Sequence, residues 1–116
     1  MDNSAYNLVL STVPSIDEAR YIARDLVQKK LVACVNIVPD LTSVYEWDGE
    51  LHEDSELLLV IKTRTDLLDS LIERIVEIHT YDVPEVICLP IIKGHNKYLD
   101  WIDSVTALKT EPEVDS

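Results

Sequence analysis

Three histidines, two cysteines and an excess of carboxylates are the side chains here that could hold a metal ion. An imidazole, a thiolate and a carboxylate together suit Cu(II), Cu(I) or Zn(II), with copper favoured among divalent ions by affinity. Such a site needs several of these groups to converge, and their spacing does not gather them locally. Cys34 and Cys88 lie far apart, each in a strand-like apolar run, with no CxxC pair of the kind found in zinc knuckles or redox couples. Reduced thiols, packed as small hydrophobes, are the expectation. His52 and His95 stand beside acidic or turn residues and should face water. His79 falls near the end of a helical pattern. There its charged form would complement the helix dipole and its ring could hydrogen-bond a carbonyl, or it could serve as a ligand.

Catalysis finds less support. Gly49 and Gly94 are the only glycines, so no Gly-rich phosphate cradle or nucleophile elbow can be built. The serines lack an adjacent His–acid pattern. The reading is therefore non-enzymatic. Twenty-two acids against ten bases give a formal charge of −12, which repels nucleic-acid phosphates and anionic headgroups. No apolar run approaches the ~20 residues of a membrane span. The opening MDNSAYN lacks the basic and apolar regions of a secretory signal, so a cytoplasmic protein is expected.

Those side chains must be placed by the elements around them. At 116 residues the chain fits one domain, with Ile, Leu, Val and Ala filling the core because Phe is absent. NLVLSTV, Asn7 to Val13, reads as a buried strand stopped by Pro14. Ser15 and Glu18 have capping-box spacing before a helix whose apolar stripe is Ile16, Ala19, Ile22, Ala23, Leu26 and Val27, with Lys29 and Lys30 at its end. Leu31 to Thr63 forms one long hairpin. Pro39-Asp40 should bend its first arm and Asp48-Gly49 supplies the tight turn, with Trp47 beside it. The acidic run Glu53-Asp54-Ser55-Glu56 reads as a solvated strand end. Lys62 closes the apolar run LLLVIK, either as a snorkelling lysine or as a cation for Glu85 or an anionic ligand.

Thr65-Asp66 opens a second helix carrying Leu67, Leu68, Leu71, Ile72, Ile75, Val76 and Ile78. His79-Thr80 lies near its end, Val83-Pro84 breaks any remaining helix, and Glu85 to Ile92 reads as a last strand with Pro90 at an edge or irregularity. Asn96 can cap a third helix bearing Tyr98, Leu99, Trp101, Ile102 and Val105. Residues 1–108 make the domain, and 109–116 are polar enough for a disordered acidic tail. The order is β-α-β-β-α-β plus a terminal helix, an α+β ferredoxin-like sandwich. Its two helices cover one sheet face, while the hairpin is apolar on both faces near Val32–Val38 and Leu57–Ile61. The second face should meet other copies of the chain. A trimer would carry −36, so its assembly should tighten as salt screens that charge. Tyr45, Trp47 and Trp101 read as interface aromatics.

Six segments in order resemble the CutA family of divalent-cation tolerance proteins: VLSTVP, KKLVACVNIVP, TSVYEWDGE, IKT, HTYDVPE and YLDWI. The resemblance implies a tight homotrimer of ferredoxin-like subunits with PII-like architecture, and a cellular response to copper and other divalent cations. It places the equivalents of Lys62, His79, Tyr81 and Glu85 near a cleft between subunits, and Cys34, Trp47 and Trp101 are further candidates there. Ser11 and Ile78 stand where some members carry Cys and a second His, leaving His79 as the one matched metal ligand and pointing to loosely held cations. A PII-like trimeric scaffold or regulator that binds a protein or small-molecule partner is the competing reading.

Overall fold

The computed structural model describes residues 4–107; the segment expected as an acidic tail lies outside them. Strand β1 (Tyr6–Val13) leads into helix α1 (Ile16–Gln28), then β2 (Cys34–Trp47) and β3 (Glu50–Arg64) form the hairpin. A 3-10 turn at Thr65–Leu67 runs into α2 (Leu68–Ile78), followed by β4 (Ile87–Pro90) and α3 (Asn96–Val105). The sheet is antiparallel with order β2-β3-β1-β4, which is the expected α+β sandwich.

Register assigns the two faces. Val9 pairs with Ile61, Ser11 with Leu59 and Val13 with Leu57, so these residues share a face. Against it pack Ala19, Ile22 and Leu26 from α1 and Leu71 and Ile75 from α2, closing a core of branched aliphatics. Arg74 of α2 forks onto Asp25 of α1 through Nε and Nη2 at 2.9 and 2.7 Å, tying the two helices together. That guanidinium holds the Asp25 carboxyl down at about 2.

The opposite face carries Leu8, Leu10, Val38, Leu58, Val60, Ile87 and Leu89. Helix α3 covers only one end of it, where Arg64 donates to the Ala107 carbonyl at 2.7 Å and Tyr6 to Asp103 at 2.7 Å. Val38, Ile87 and Leu89 remain 42%, 49% and 42% exposed.

The hairpin follows its turn chemistry. Asp48 and Gly49 both take positive φ, 54° and 77°, as a twisted two-residue turn requires. At Pro39-Asp40 the register shifts between Val38 and Leu41, and Asp40 itself stands at φ 63°. Three expectations are corrected. The last strand is Ile87–Pro90, shorter than Glu85 to Ile92: it pairs with β1 only from Leu10 to Asn7, and past Pro90 the Ile91 N–H bonds the Tyr6 carbonyl where β1 begins. His95, not Asn96, is the N-cap of α3, and its carbonyl takes the N–H groups of Tyr98 and Leu99. The second helix is α only from Leu68, with no side-chain cap.

Candidate functional site

Beyond Val13, β1 no longer flanks β3, so the hairpin continues as a two-stranded arm. The chain leaving α2 fills the gap beside that arm's base. Its path is fixed by His79, whose side chain is fully buried. Nε2 donates to the Thr12 carbonyl at 2.8 Å, and Nδ1 accepts the Tyr81 N–H at 3.0 Å. This pattern places a ring proton on Nε2 and makes Nδ1 an acceptor, with a Glu18 carboxylate oxygen 3.4 Å from that nitrogen. Glu18 takes part in the same junction. Ser15 caps α1 by accepting the Glu18 N–H at 3.2 Å, but the Glu18 carboxylate does not reach back as a capping box would. It accepts the Thr80 N–H and hydroxyl at 3.0 and 2.7 Å instead.

So placed, Tyr81 donates its hydroxyl to Glu56 at 2.6 Å. Ser43 donates to the other oxygen of that carboxylate, also at 2.6 Å. Tyr45 donates to Asp54 and stacks on His52 with centroids 5.3 Å apart. Burial, aided by Glu56, raises the Tyr81 hydroxyl well above the usual tyrosine range, and the Asp54 hydrogen bond raises Tyr45.

These residues line a groove of about 610 Å³ formed by Thr12, Ser43, Val44, Tyr45, Trp47, Glu56, Tyr81, Asp82, Val83 and Glu85. The lining holds three carboxylates and, among the described residues, no basic side chain. Glu56 is the departure from expectation. It belongs to the run read as a solvated strand end, yet it is 8% exposed. Its alternation with Leu58 and Val60 on β3 was the available signal.

Of the expected cleft residues, Trp47, Tyr81 and Glu85 meet in this groove. Cys34 and Lys62 do not; they are partners across the β2–β3 ladder, and Lys62 bonds Asn36 rather than Glu85. Six residues along β3 separate Lys62 from Glu56, roughly 20 Å of strand. Trp101 lies on α3 with its ring 5.4 Å from that of Tyr98. Cys34 and Cys88 are both free thiols on opposite faces of the sheet, and burial raises the Cys88 thiol.

Among the described residues no three His, Cys, Asp or Glu side chains are placed to hold a metal ion, and both nitrogens of His79 are spent on backbone groups. Ser11, where some members of the resembling family carry Cys, is buried with its hydroxyl unpartnered.

Comparison with known proteins agrees with the fold. The family described as CutA1 divalent ion tolerance protein matches residues 7–105. The divalent-cation tolerance protein CutA of Thermus thermophilus is 55% identical over 95 residues, 82% of this chain and 92% of that protein. The chloroplastic protein CutA of Arabidopsis thaliana is 52% identical over 99 residues; the match spans 85% of this chain but 54% of that protein. The solved structure of the Thermus thermophilus Cut A1 protein superposes with a TM-score of 0.86 at 52% identity, covering 88% of this chain and 99% of the other.

Proposed function

Since the chain belongs to the CutA1 family of divalent ion tolerance proteins, we propose that it works as a non-enzymatic homotrimer in the response to divalent cations. The open apolar sheet face is the observation that carries this. Leu8, Leu10, Leu58 and Val60 form its centre and Val38, Ile87 and Leu89 its exposed margin, a surface that a lone subunit would leave wet.

Copper and related cations enter as loosely held partners of acidic surface rather than as ions in a closed site. The engaged nitrogens of His79 and the scattered carboxylates support that reading. Free, half-buried Cys34 and Cys88 suit the cytoplasm, the proposed location.

Light scattering coupled to size exclusion tests the assembly: a trimer mass is expected, and a lone-subunit mass at micromolar concentration overturns it. Calorimetric titration of copper into the wild type and His79→Gln tests the metal reading. Matching isotherms are expected, and loss of binding in the variant would return His79 to the ligands.

A further inference from the structure

We infer that the outer flank of α1 is the docking surface for residues 108–116 of the same chain, with Arg24 and Arg20 receiving the carboxylates of Glu111 and Glu113. The flank lies on the helix side of the sheet, away from the face proposed for assembly, so the two readings stand apart.

Charge singles out this flank. Residues 20–30 hold four of the chain's ten bases, Arg20, Arg24, Lys29 and Lys30, and one of its 22 acids, Asp25. That acid is already engaged by Arg74 and Lys29. Among the described residues the side chains of Arg20, Arg24 and Lys30 have no ionic or hydrogen-bonding partner. Asp17, Arg20, Tyr21, Arg24, Asp25 and Gln28 line a shallow recess of about 430 Å³, left net basic once Asp25 is spent on its own partners. Tyr21 and Val27, 54% and 43% exposed, give the strip an apolar margin.

The exit of the chain supplies the occupant. The Ala107 N–H donates to the Lys30 carbonyl at 2.8 Å, and Arg64 donates to the Ala107 carbonyl at 2.7 Å, so the backbone is delivered to the C-terminal end of α1. The residues that follow carry Glu111, Glu113 and Asp115 against Lys109 alone. Glu111 and Glu113 lie roughly 13 and 20 Å of extended chain beyond Ala107. Arg24 and Arg20 lie roughly 9 and 15 Å back along α1 from Lys30, within that reach. Pro112 holds Glu111 to extended backbone, and alternate residues of an extended chain share a side about 6.6 Å apart. The two arginines, one helical turn apart, repeat at about the same distance, 5–6 Å.

Tethering favours this occupant over an acidic partner from outside. A chain of −12 repels such a partner at long range, whereas a short linker keeps its own carboxylates at an effective concentration on the order of millimolar.

Amide resonances of the intact protein test the contact, with the wild type compared to a full-length variant carrying Glu111→Gln, Glu113→Gln and Asp115→Asn. At about 0.01 M sodium chloride the Arg20, Tyr21 and Arg24 amides should differ between the two. At about 1 M they should coincide, since the screening length falls from roughly 30 to 3 Å. Arg20→Gln with Arg24→Gln is the reciprocal variant, at two exposed positions. It should move the Glu111 and Glu113 amides, and Lys93→Gln with Lys97→Gln, also exposed, should leave them in place. Identical α1 resonances at low salt would overturn the inference and leave the flank to an acidic partner from outside the chain. So would a difference undiminished by salt, Glu111 and Glu113 amides indifferent to the arginines, or an equal response to loss of Lys93 and Lys97. The trimer mass is read separately, so failure here leaves the assembly standing.

Discussion

The hydroxyl of Tyr81 meets the carboxylate of Glu56 at 2.6 Å across 25 positions of sequence, and this bond fastens the segment after α2 to the base of the hairpin arm. Removing either partner should loosen the junction without unfolding the core. Tyr81→Phe should cost about 1 kcal/mol, and Glu56→Gln a similar amount. In a double-mutant cycle by urea unfolding, the pair should cost less than the sum of the singles, because each deletion breaks the same bond. Additive losses would mean that the bond contributes nothing.

His79 should matter more, since its two ring nitrogens serve backbone groups of β1 and of the segment at Tyr81. His79→Ala leaves a buried carbonyl and a buried N–H without partners, and should lower stability by about 2–3 kcal/mol. Nitrogen-15 chemical shifts should report Nε2 as the donor and Nδ1 as the acceptor nitrogen. A ring proton on Nδ1 would contradict the bond accepted from the Tyr81 N–H.

Acid should act through Asp25, whose carboxyl is held at about 2 chiefly by its hydrogen bonds with Arg74. A depressed carboxyl contributes stability that is complete above its unfolded value and is lost as pH falls toward the folded one. Urea midpoints should therefore drop between about pH 4 and pH 2, the interval between the usual aspartate value and the folded one. Arg74→Gln, which removes the fork, should flatten that limb while lowering stability at neutral pH.

Alkali should act through Tyr6, which the Asp103 carboxylate pushes up to about 12. Here the folded form keeps its proton longer than the unfolded chain. Its contribution is complete below pH 10 and is lost as pH rises toward 12. Tyr6→Phe should remove this part of the alkaline loss, measured by the same midpoints.

Salt and a single buried charge probe the open face. Raising ionic strength should favour the trimer over dissociated subunits, because screening weakens repulsion among three chains of −12 each. Val60→Asp, between Leu10 and Asn36 on that face, should shift the mass to a single subunit while leaving far-UV circular dichroism unchanged. An intact trimer in that variant would place the interface elsewhere.

The hairpin was legible because its signals are local. Asp48-Gly49 dictates the turn and Pro39-Asp40 the irregularity, each within two residues. The α1 and α2 stripes were legible because burial repeats with the helical period, though Ile16 and Val27 of the α1 stripe and Val76 of the α2 stripe stay exposed. The site was only half legible. Glu56 looks like its solvated neighbours Glu53 and Asp54 until Tyr81 and Ser43 close over it. Glu18 keeps the spacing of a capping box, yet its carboxylate finds Thr80 across the fold, a competition that short-range rules do not contain. Lys62 and Glu85 carry opposite charges but occupy different regions of the fold, and linear sequence holds no measure of that separation.

The kink at Pro39-Asp40 does more than bend the arm. Before it, even-numbered residues of β2 share a face with Lys62 and Val60; after it, odd-numbered ones share that face with Glu56 and Asp54. One extra residue thus inverts the parity of everything downstream, and only for that reason do Ser43, Tyr45 and Trp47 look toward the groove. Pairing the same residues without this irregularity would set Asp40 opposite Glu56 and turn Ser43, Tyr45 and Trp47 to the back of the arm. The recess therefore depends on one residue of this short stretch standing outside the ladder.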